Sequence, residues 1–162
     1  MAAYPLQALL SVRQYREDAT HKRLRHAERA ARDARDALDE REKELERYRH
    51  WRGEEEDRRY AAIMGQLLQL EDLDLFKAGL ALLRDGELLR EESVLKAGQD
   101  LDKALQVVDE AKQAVRKAQR ETARILAHKD IWLEAARKEA ERREDLESEE
   151  FKPLPVGTAG EI

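Results

Sequence analysis

The chain has 162 residues, of which 41% are charged and only 5% aromatic, with a formal net charge of −5. So few large side chains argue against a compact globular domain, whose centre they would have to fill to offset the entropy of ordering the backbone. Since the chain has no cysteine, disulfide frameworks, thiolate metal sites and cysteine nucleophiles are excluded.

The first predicted element is a long helix, helix 1, from about residue 6 to about residue 68. No proline occurs between Pro5 and Pro153, and the residues between them are mostly types that lose little entropy in a helix. Steps of three and four between small and apolar residues predict one buried stripe, interrupted at Arg41. Its members are Leu24, Ala27, Ala31, Ala34, Leu38, Leu45 and Tyr48, followed after a phase break by Tyr60, Ile63, Leu67 and Leu70.

A turn is predicted at about residues 69–75, because the phase of the first stripe breaks after Trp51 and Gly53 and the chain should reverse near its middle. Asp72 or Asp74 is available there as the N-cap of a second helix. The segment Arg84-Asp85-Gly86-Glu87 is an alternative turn, since its Asp-Gly pair is a stronger local turn signal.

Helix 2 is predicted from about residue 75 to about residue 150, with a second stripe in strict steps of three and four. Alanines at alternate stripe positions allow close approach of two backbones, which favours antiparallel pairing within one chain. The predicted fold is all-α: two long helices in an antiparallel coiled-coil hairpin over residues 1–150, then a flexible, disordered tail at residues 151–162. The second stripe consists of Val94, Ala97, Leu101, Ala104, Val108, Ala111, Val115, Ala118, Thr122 and Ile125.

Positive charge is concentrated in two segments that this hairpin would bring side by side. Residues 13–35 contain eight Lys or Arg and four acids, and residues 111–129 contain six Lys or Arg and one acid. One interpretation is a pair of solvated faces that share a sign; the other is a surface complementary to an acidic partner. The candidate binding residues are Arg25, Arg29, Arg32, Arg116, Arg120 and Arg124.

The few aromatic residues are the other candidates for binding. Large amphipathic rings on a thin coiled coil often anchor protein interfaces, although packing between the helices is the alternative. Near the predicted turn lie Tyr48, Trp51, Tyr60 and Phe76, and near the two chain termini lie Tyr4 and Trp132.

No sequence pattern for catalysis or cofactor binding is present. The phosphate-binding loop, the dinucleotide fingerprint, the GxSxG elbow and the HExxH zinc motif are absent, and no two of the four histidines are spaced to hold one metal ion. We therefore expect no enzyme activity, no cofactor and no metal site. Without an apolar run near the ~20 residues that span a bilayer, or an ordinary secretory signal, a cytoplasmic protein with no membrane span is expected.

Two short motifs resemble a known family. The opening YPLQALLSVR, from Tyr4 to Arg13, precedes a charged, Ala-rich helix, and HKDIWLEA, from His128 to Ala135, precedes an Arg/Glu-rich one. Both are similar to segments of the YscO family of type III secretion proteins, and the chain resembles that family over nearly its whole length. The flagellar counterpart, FliJ, shares the architecture but usually lacks both motifs.

The resemblance implies a two-helix stalk in the central pore of a hexameric secretion ATPase, reaching toward the cytoplasmic ring of the export gate at the inner membrane. Secretion chaperones are a further implied partner. By similarity, the end that carries the two motifs would enter the ATPase, which adds Tyr4, Leu6, His128 and Trp132 to the ATPase-binding candidates. The turn end, with its four aromatic residues, would face the export gate.

Three alternatives remain open from the sequence. A generic coiled-coil scaffold or adaptor would share the two stripes but would have no reason for the two motifs, and a flagellar FliJ-type export protein would share the architecture. A nucleic-acid binder would use the basic segments on phosphates, but the acidic total charge and the lack of interleaved aromatic residues argue against it.

Overall fold

The computed structural model describes residues 2–151, 153 and 157. Two long helices, α1 (Gln7–Ile63) and α2 (Leu70–Glu150), form nearly all of this described part, which contains no strand. The predicted all-α fold of two long helices is therefore confirmed. Most of the tail that was predicted to be disordered, residues 152, 154–156 and 158–162, lies outside the described residues.

The connection between the helices spans residues 64–69, which corrects the turn predicted at residues 69–75. Gly65 has a φ of +78°, a left-handed conformation that ends helices and is open to glycine without strain. Helix α1 therefore ends at Ile63 instead of about residue 68, and α2 begins at Leu70 instead of about residue 75. Asp72 lies inside the first turn of α2, where the positive end of the helix dipole stabilises a carboxylate.

The chain divides into two compact units, each containing a segment of α1 paired with a segment of α2. Unit 1 consists of residues 1–20 and 115–162, and unit 2 of residues 21–114. In unit 2 the two segments are joined by the connection at residues 64–69 and run antiparallel, since α1 residue Tyr48 contacts Leu83 of α2 near the connection while Ala27 packs among Val108 and Ala111 far from it.

The core of unit 2 is built from small side chains. Ala27 and Ala31 of α1 pack with Val108 and Ala111 of α2, and Leu24 and Ala104 close the cluster from its sides. Alanine on both helices lets the backbones approach closely, so a narrow seam suffices and the remaining faces stay charged.

The core of unit 1 centres on Leu10, whose side chain is only 2% exposed. Tyr4 is also buried in this unit, and Val115 and Ala118 are buried on α2. Thr122 is buried as well, although its hydroxyl has no hydrogen-bond partner among the residues that the structure describes.

Burial confirms most of both predicted stripes. All ten stripe positions from Val94 to Ile125 are buried or half-buried, as are the seven from Leu24 to Tyr48. The continuation through Tyr60, Leu67 and Leu70 is wrong, because all three side chains are exposed. In that part of α1 the half-buried positions are held largely by Arg52, Glu55, Glu56 and Arg59.

Gly86 lies inside α2, so the alternative turn at Arg84-Asp85-Gly86-Glu87 is wrong. The ring of Tyr48 packs directly on Gly86: a Cβ atom there would lie 2.9 Å from Tyr48 Cζ and closer still to its hydroxyl. That hydroxyl donates to the Leu83 carbonyl at 2.5 Å, and the Arg90 guanidinium lies 3.9 Å from the ring centroid. The glycine makes room for a tyrosine and does not mark a chain reversal.

Gly86→Ala is expected to lower the free energy of unfolding by about 1 to 3 kcal/mol, because Tyr48 must leave its position. This net loss is expected although helix propensity alone favours alanine over glycine by ~1 kcal/mol. Gly98→Ala is the matched control: nothing lies within 4 Å of the position that the added methyl group would take, so it should raise stability by about 0.5 to 1 kcal/mol. Urea unfolding followed by circular dichroism measures both, and stabilisation by both substitutions would refute the packing role of Gly86.

Candidate protein-binding surfaces

The two sequence motifs meet in unit 1, in a cluster that we call the terminal clasp: Tyr4, Gln7, His128, Lys129 and Trp132. Tyr4 Oη and His128 Nδ1 share a hydrogen bond of 2.5 Å, and the rings of Tyr4 and Trp132 meet edge to face with centroids 5.5 Å apart. Lys129 Nζ donates to Gln7 Oε1 at 3.0 Å and lies 6.0 Å from the Tyr4 ring centroid. The clasp therefore fixes the start of the chain onto α2.

Tyr4→Phe is expected to lower the free energy of unfolding by about 0.5 to 1.5 kcal/mol, because it removes the hydrogen bond to His128 while keeping the ring. Tyr15→Phe is the matched control. Tyr4 is 6% exposed and Tyr15 is 76% exposed, so the control should be neutral. Equal thermal unfolding curves for the two variants would show that the hydrogen bond contributes nothing.

The clasp changes how the motif residues are interpreted. Tyr4 is buried and Trp132 half-buried, whereas Leu6 and His128 remain exposed. Two of the four motif candidates thus have a packing role within unit 1; of the two exposed ones, His128 is also hydrogen-bonded to Tyr4. ATPase binding by these residues stays a prediction.

Unit 2 carries a line of exposed arginines on α1: Arg25, Arg29 and Arg32. Their spacing of four and three places them on one face of the helix, and all three are exposed. Within the described chain none of the three forms an ion pair, although many other charged residues of unit 2 do. We call this the α1 arginine line.

Unit 1 carries a similar line on α2: Arg116, Arg120 and Arg124, spaced four residues apart and all exposed. The only acid between residues 111 and 129, Glu121, is bound by Arg13, whose Nη1 donates to Glu121 Oε2 at 2.6 Å. The described residues offer these three arginines no ion-pair partner. We call this the α2 arginine line.

The four aromatic candidates near the connection form two pairs in unit 2. Tyr48 and Trp51 have ring centroids 5.5 Å apart, and Tyr60 and Phe76 meet edge to face at 5.2 Å. In each pair one ring is half-buried, Tyr48 or Phe76, and the other is exposed, Trp51 or Tyr60. The structure thus gives the packing role to one member of each pair and leaves the other at the surface.

Between these pairs the seam is charged, which the sequence stripe did not predict. Arg49 binds Glu87 at 2.8 Å and Glu91 at 2.9 Å, and Arg52 also binds Glu87. The hydrogen bond to Glu87, with that to Glu91, raises the pKa of Arg49. On α1, hydrogen bonds donated by Arg58 and, to a smaller extent, by Arg59 lower the pKa of the Glu55 carboxyl group. Charged pairs across a seam fix the register of two helices more than they stabilise them.

Sequence reasoning missed an apolar surface on the outside of α2 in unit 2, which we call the leucine face. Its five leucines are 55 to 71% exposed. A signal for it was present, because two sets of leucines recur every seven residues, at positions that the buried stripe does not use. They are Leu75, Leu82 and Leu89 in one set and Leu88 and Leu95 in the other.

Neither helix of the described chain is apolar over enough of its length to cross a bilayer. Across the described residues, no group of three or more His, Asp or Glu side chains is arranged to hold a metal ion.

Both the sequence and the structure of the chain are similar to those of known proteins. Residues 6–153 match the family model of type III secretion protein YscO. The crystal structure of YscO from Vibrio parahaemolyticus is similar with a TM-score of 0.83 and 24% identity, over 91% of this chain and 92% of that one. A YscO homologue candidate from Chlamydia trachomatis gives 0.76 and 24%, over 93% and 92%. Among curated proteins no match is found.

Proposed function

The chain belongs to the YscO family of type III secretion proteins, whose model matches residues 6–153, and we propose from this that it is the central stalk of a type III export apparatus. In this role it couples the hexameric secretion ATPase to the export gate. It works on the cytoplasmic side of the inner membrane, where both partners meet, and secretion chaperones are an additional partner.

The observation that carries the ATPase half of the proposal is the pair of arginine lines. Within the described chain, the six exposed guanidinium groups of these lines have no carboxylate partner. The arginines at positions 49, 52, 58 and 59, which lie nearer the connection, are each paired with a glutamate. Unpaired like charges on neighbouring turns cost stability through repulsion. An acidic surface on a partner would relieve that repulsion and would also speed association.

The export-gate half of the proposal is supported by Trp51 and Tyr60. Both rings are exposed next to a half-buried aromatic neighbour, which holds each in place. A preorganised amphipathic ring loses little entropy on binding and is a frequent energetic anchor of interfaces.

Binding of the full chain to the hexameric secretion ATPase of the same organism tests the proposal. We expect association that speeds ATP hydrolysis and weakens steeply between about 0.1 M and about 1 M salt, because the Debye length falls from ~10 Å to ~3 Å. Biolayer interferometry and a hydrolysis assay measure the two effects. Absent binding, or an affinity that salt leaves unchanged, would contradict the electrostatic contact proposed here.

A further inference from the structure

The leucine face has two parallel rows of side chains with no partner in the described chain. At 100° per residue, Leu75, Leu82 and Leu89 form one row, and Leu88 and Leu95 form a second about a third of a turn away. Both rows lie away from the seam with α1, which uses half-buried or buried α2 residues such as Leu80 and Leu83. An amphipathic helix needs one apolar side for its partner, so α2 has a second apolar side to cover.

A line of carboxylates runs between the two rows of leucines. Asp74, Asp85 and Glu92 lie there, with Ala78 and Ala81 as the small residues of the same line. All five are exposed. Two exposed cations also belong to the face: Lys77, in line with Leu88 and Leu95, and Lys96, one turn after Glu92.

These carboxylates differ from the acids on the side of α2 that faces α1. On that side, Arg49 of α1 binds Glu87 at 2.8 Å and Glu91 at 2.9 Å. On the leucine face, Asp74, Asp85 and Glu92 form no ion pair with any described residue. The outer face thus combines uncovered apolar area with three carboxylates that have no ion-pair partner among the described residues.

We propose that the leucine face binds a cationic amphipathic helix of another protein. Such a helix would place a line of Lys or Arg over Asp74, Asp85 and Glu92, with apolar side chains on either side packing against the two rows of leucines. Long cationic side chains suit this position, because their methylene stems cover apolar surface while the charged end reaches a carboxylate. This binding mode is the insertion of an amphipathic helix into a groove.

The charges on the face argue against two other occupants. A second copy in antiparallel register about Leu83 would place Asp74 of each copy opposite Glu92 of the other, which costs free energy. Anionic membrane surfaces would be repelled by the same three groups. A partner of opposite charge has neither cost.

The probe is a synthetic helical peptide of about three heptads, with lysine at position a and leucine at positions d and e, so that a lysine line lies between two leucine lines. Its counterpart has glutamate at position a. Fluorescence anisotropy with the full chain should show binding of the lysine peptide at least ten times tighter than that of the glutamate peptide. The double variant Leu82→Ser/Leu89→Ser should weaken the lysine peptide at least tenfold, and Asp85→Lys/Glu92→Lys should reverse the preference.

Leu146→Ser is the matched control, an exposed α2 leucine outside the face, and should leave binding unchanged. All these side chains are exposed, so helicity should stay at the wild-type value in every variant. Equal affinity for the two peptides, or no loss in the double serine variant, overturns the proposal. It is also overturned if sedimentation shows a wild-type dimer that the serine variant loses, or if anionic lipid vesicles bind the face. None of these assays contains an ATPase or an export gate, so their failure is independent of the stalk proposal.

Discussion

Val108→Asp is expected to unfold unit 2 under conditions in which the wild-type chain is fully helical. Val108 is 8% exposed and packs among Ala27, Ala31 and Ala111, with no polar group in that cluster to receive a carboxylate. Burying an unpaired charge there should lower the free energy of unfolding by at least ~3 kcal/mol. Circular dichroism during thermal unfolding measures the loss.

The adjacent residue gives a matched control. Val107 is 51% exposed, so Val107→Asp makes the same chemical change one position away on the solvent side. We expect its effect on the free energy of unfolding to stay within ~0.5 kcal/mol. Similar melting temperatures for the two variants would show that the seam has a different phase.

Reversal of an arginine line is expected to abolish most binding to the secretion ATPase. Arg25, Arg29 and Arg32 replaced by glutamate should each cost about 1 kcal/mol or more of binding free energy, together about a hundredfold in Kd. The same triple change at Arg116, Arg120 and Arg124 should act similarly. Helicity should remain, because all six side chains are exposed.

The control for charge reversal changes the net charge equally at another place. Lys43, Arg47 and Arg58 are exposed but paired with Asp39, Glu40 and Glu55 respectively. Their replacement by glutamate removes surface pairs that contribute little to stability, and ATPase affinity should stay within about threefold of wild type. If this triple variant binds the ATPase as weakly as the two arginine-line variants do, the effect is one of net charge alone.

The helical seam was predictable because its evidence is local and repeated. From Val94 to Ile125 each step of three or four adds an independent indication of the same face, and one exception hardly alters the phase. The end of α1 was not found, since the leucines at 67 and 70 continued the periodicity into residues that are not in α1. Gly65, the helix-ending residue, was the stronger signal, because a helix needs a partner for its last carbonyls whatever its apolar pattern.

The surfaces were less predictable, because one residue type serves both packing and binding. The Asp-Gly pair at residues 85 and 86 indicates a possible turn, but Gly86 lies inside α2, where Tyr48 packs directly on it. Tyr4 and Trp132 were considered for binding, and the structure uses both within the clasp. The six arginines of the two lines are a different case. Their concentration is visible in the sequence, but whether each has a carboxylate partner depends also on which residues the other helix places beside it.

Photo-crosslinking inside the assembled secretion apparatus tests the stalk proposal most directly. A photoreactive amino acid would replace Arg29 or Arg120, on the two arginine lines, and Trp51 or Tyr60, near the connection. We expect adducts with the secretion ATPase from positions 29 and 120, and adducts with the export gate from positions 51 and 60. Adducts with one and the same partner from all four positions, or none with the ATPase from positions 29 and 120, would contradict a stalk that couples the two.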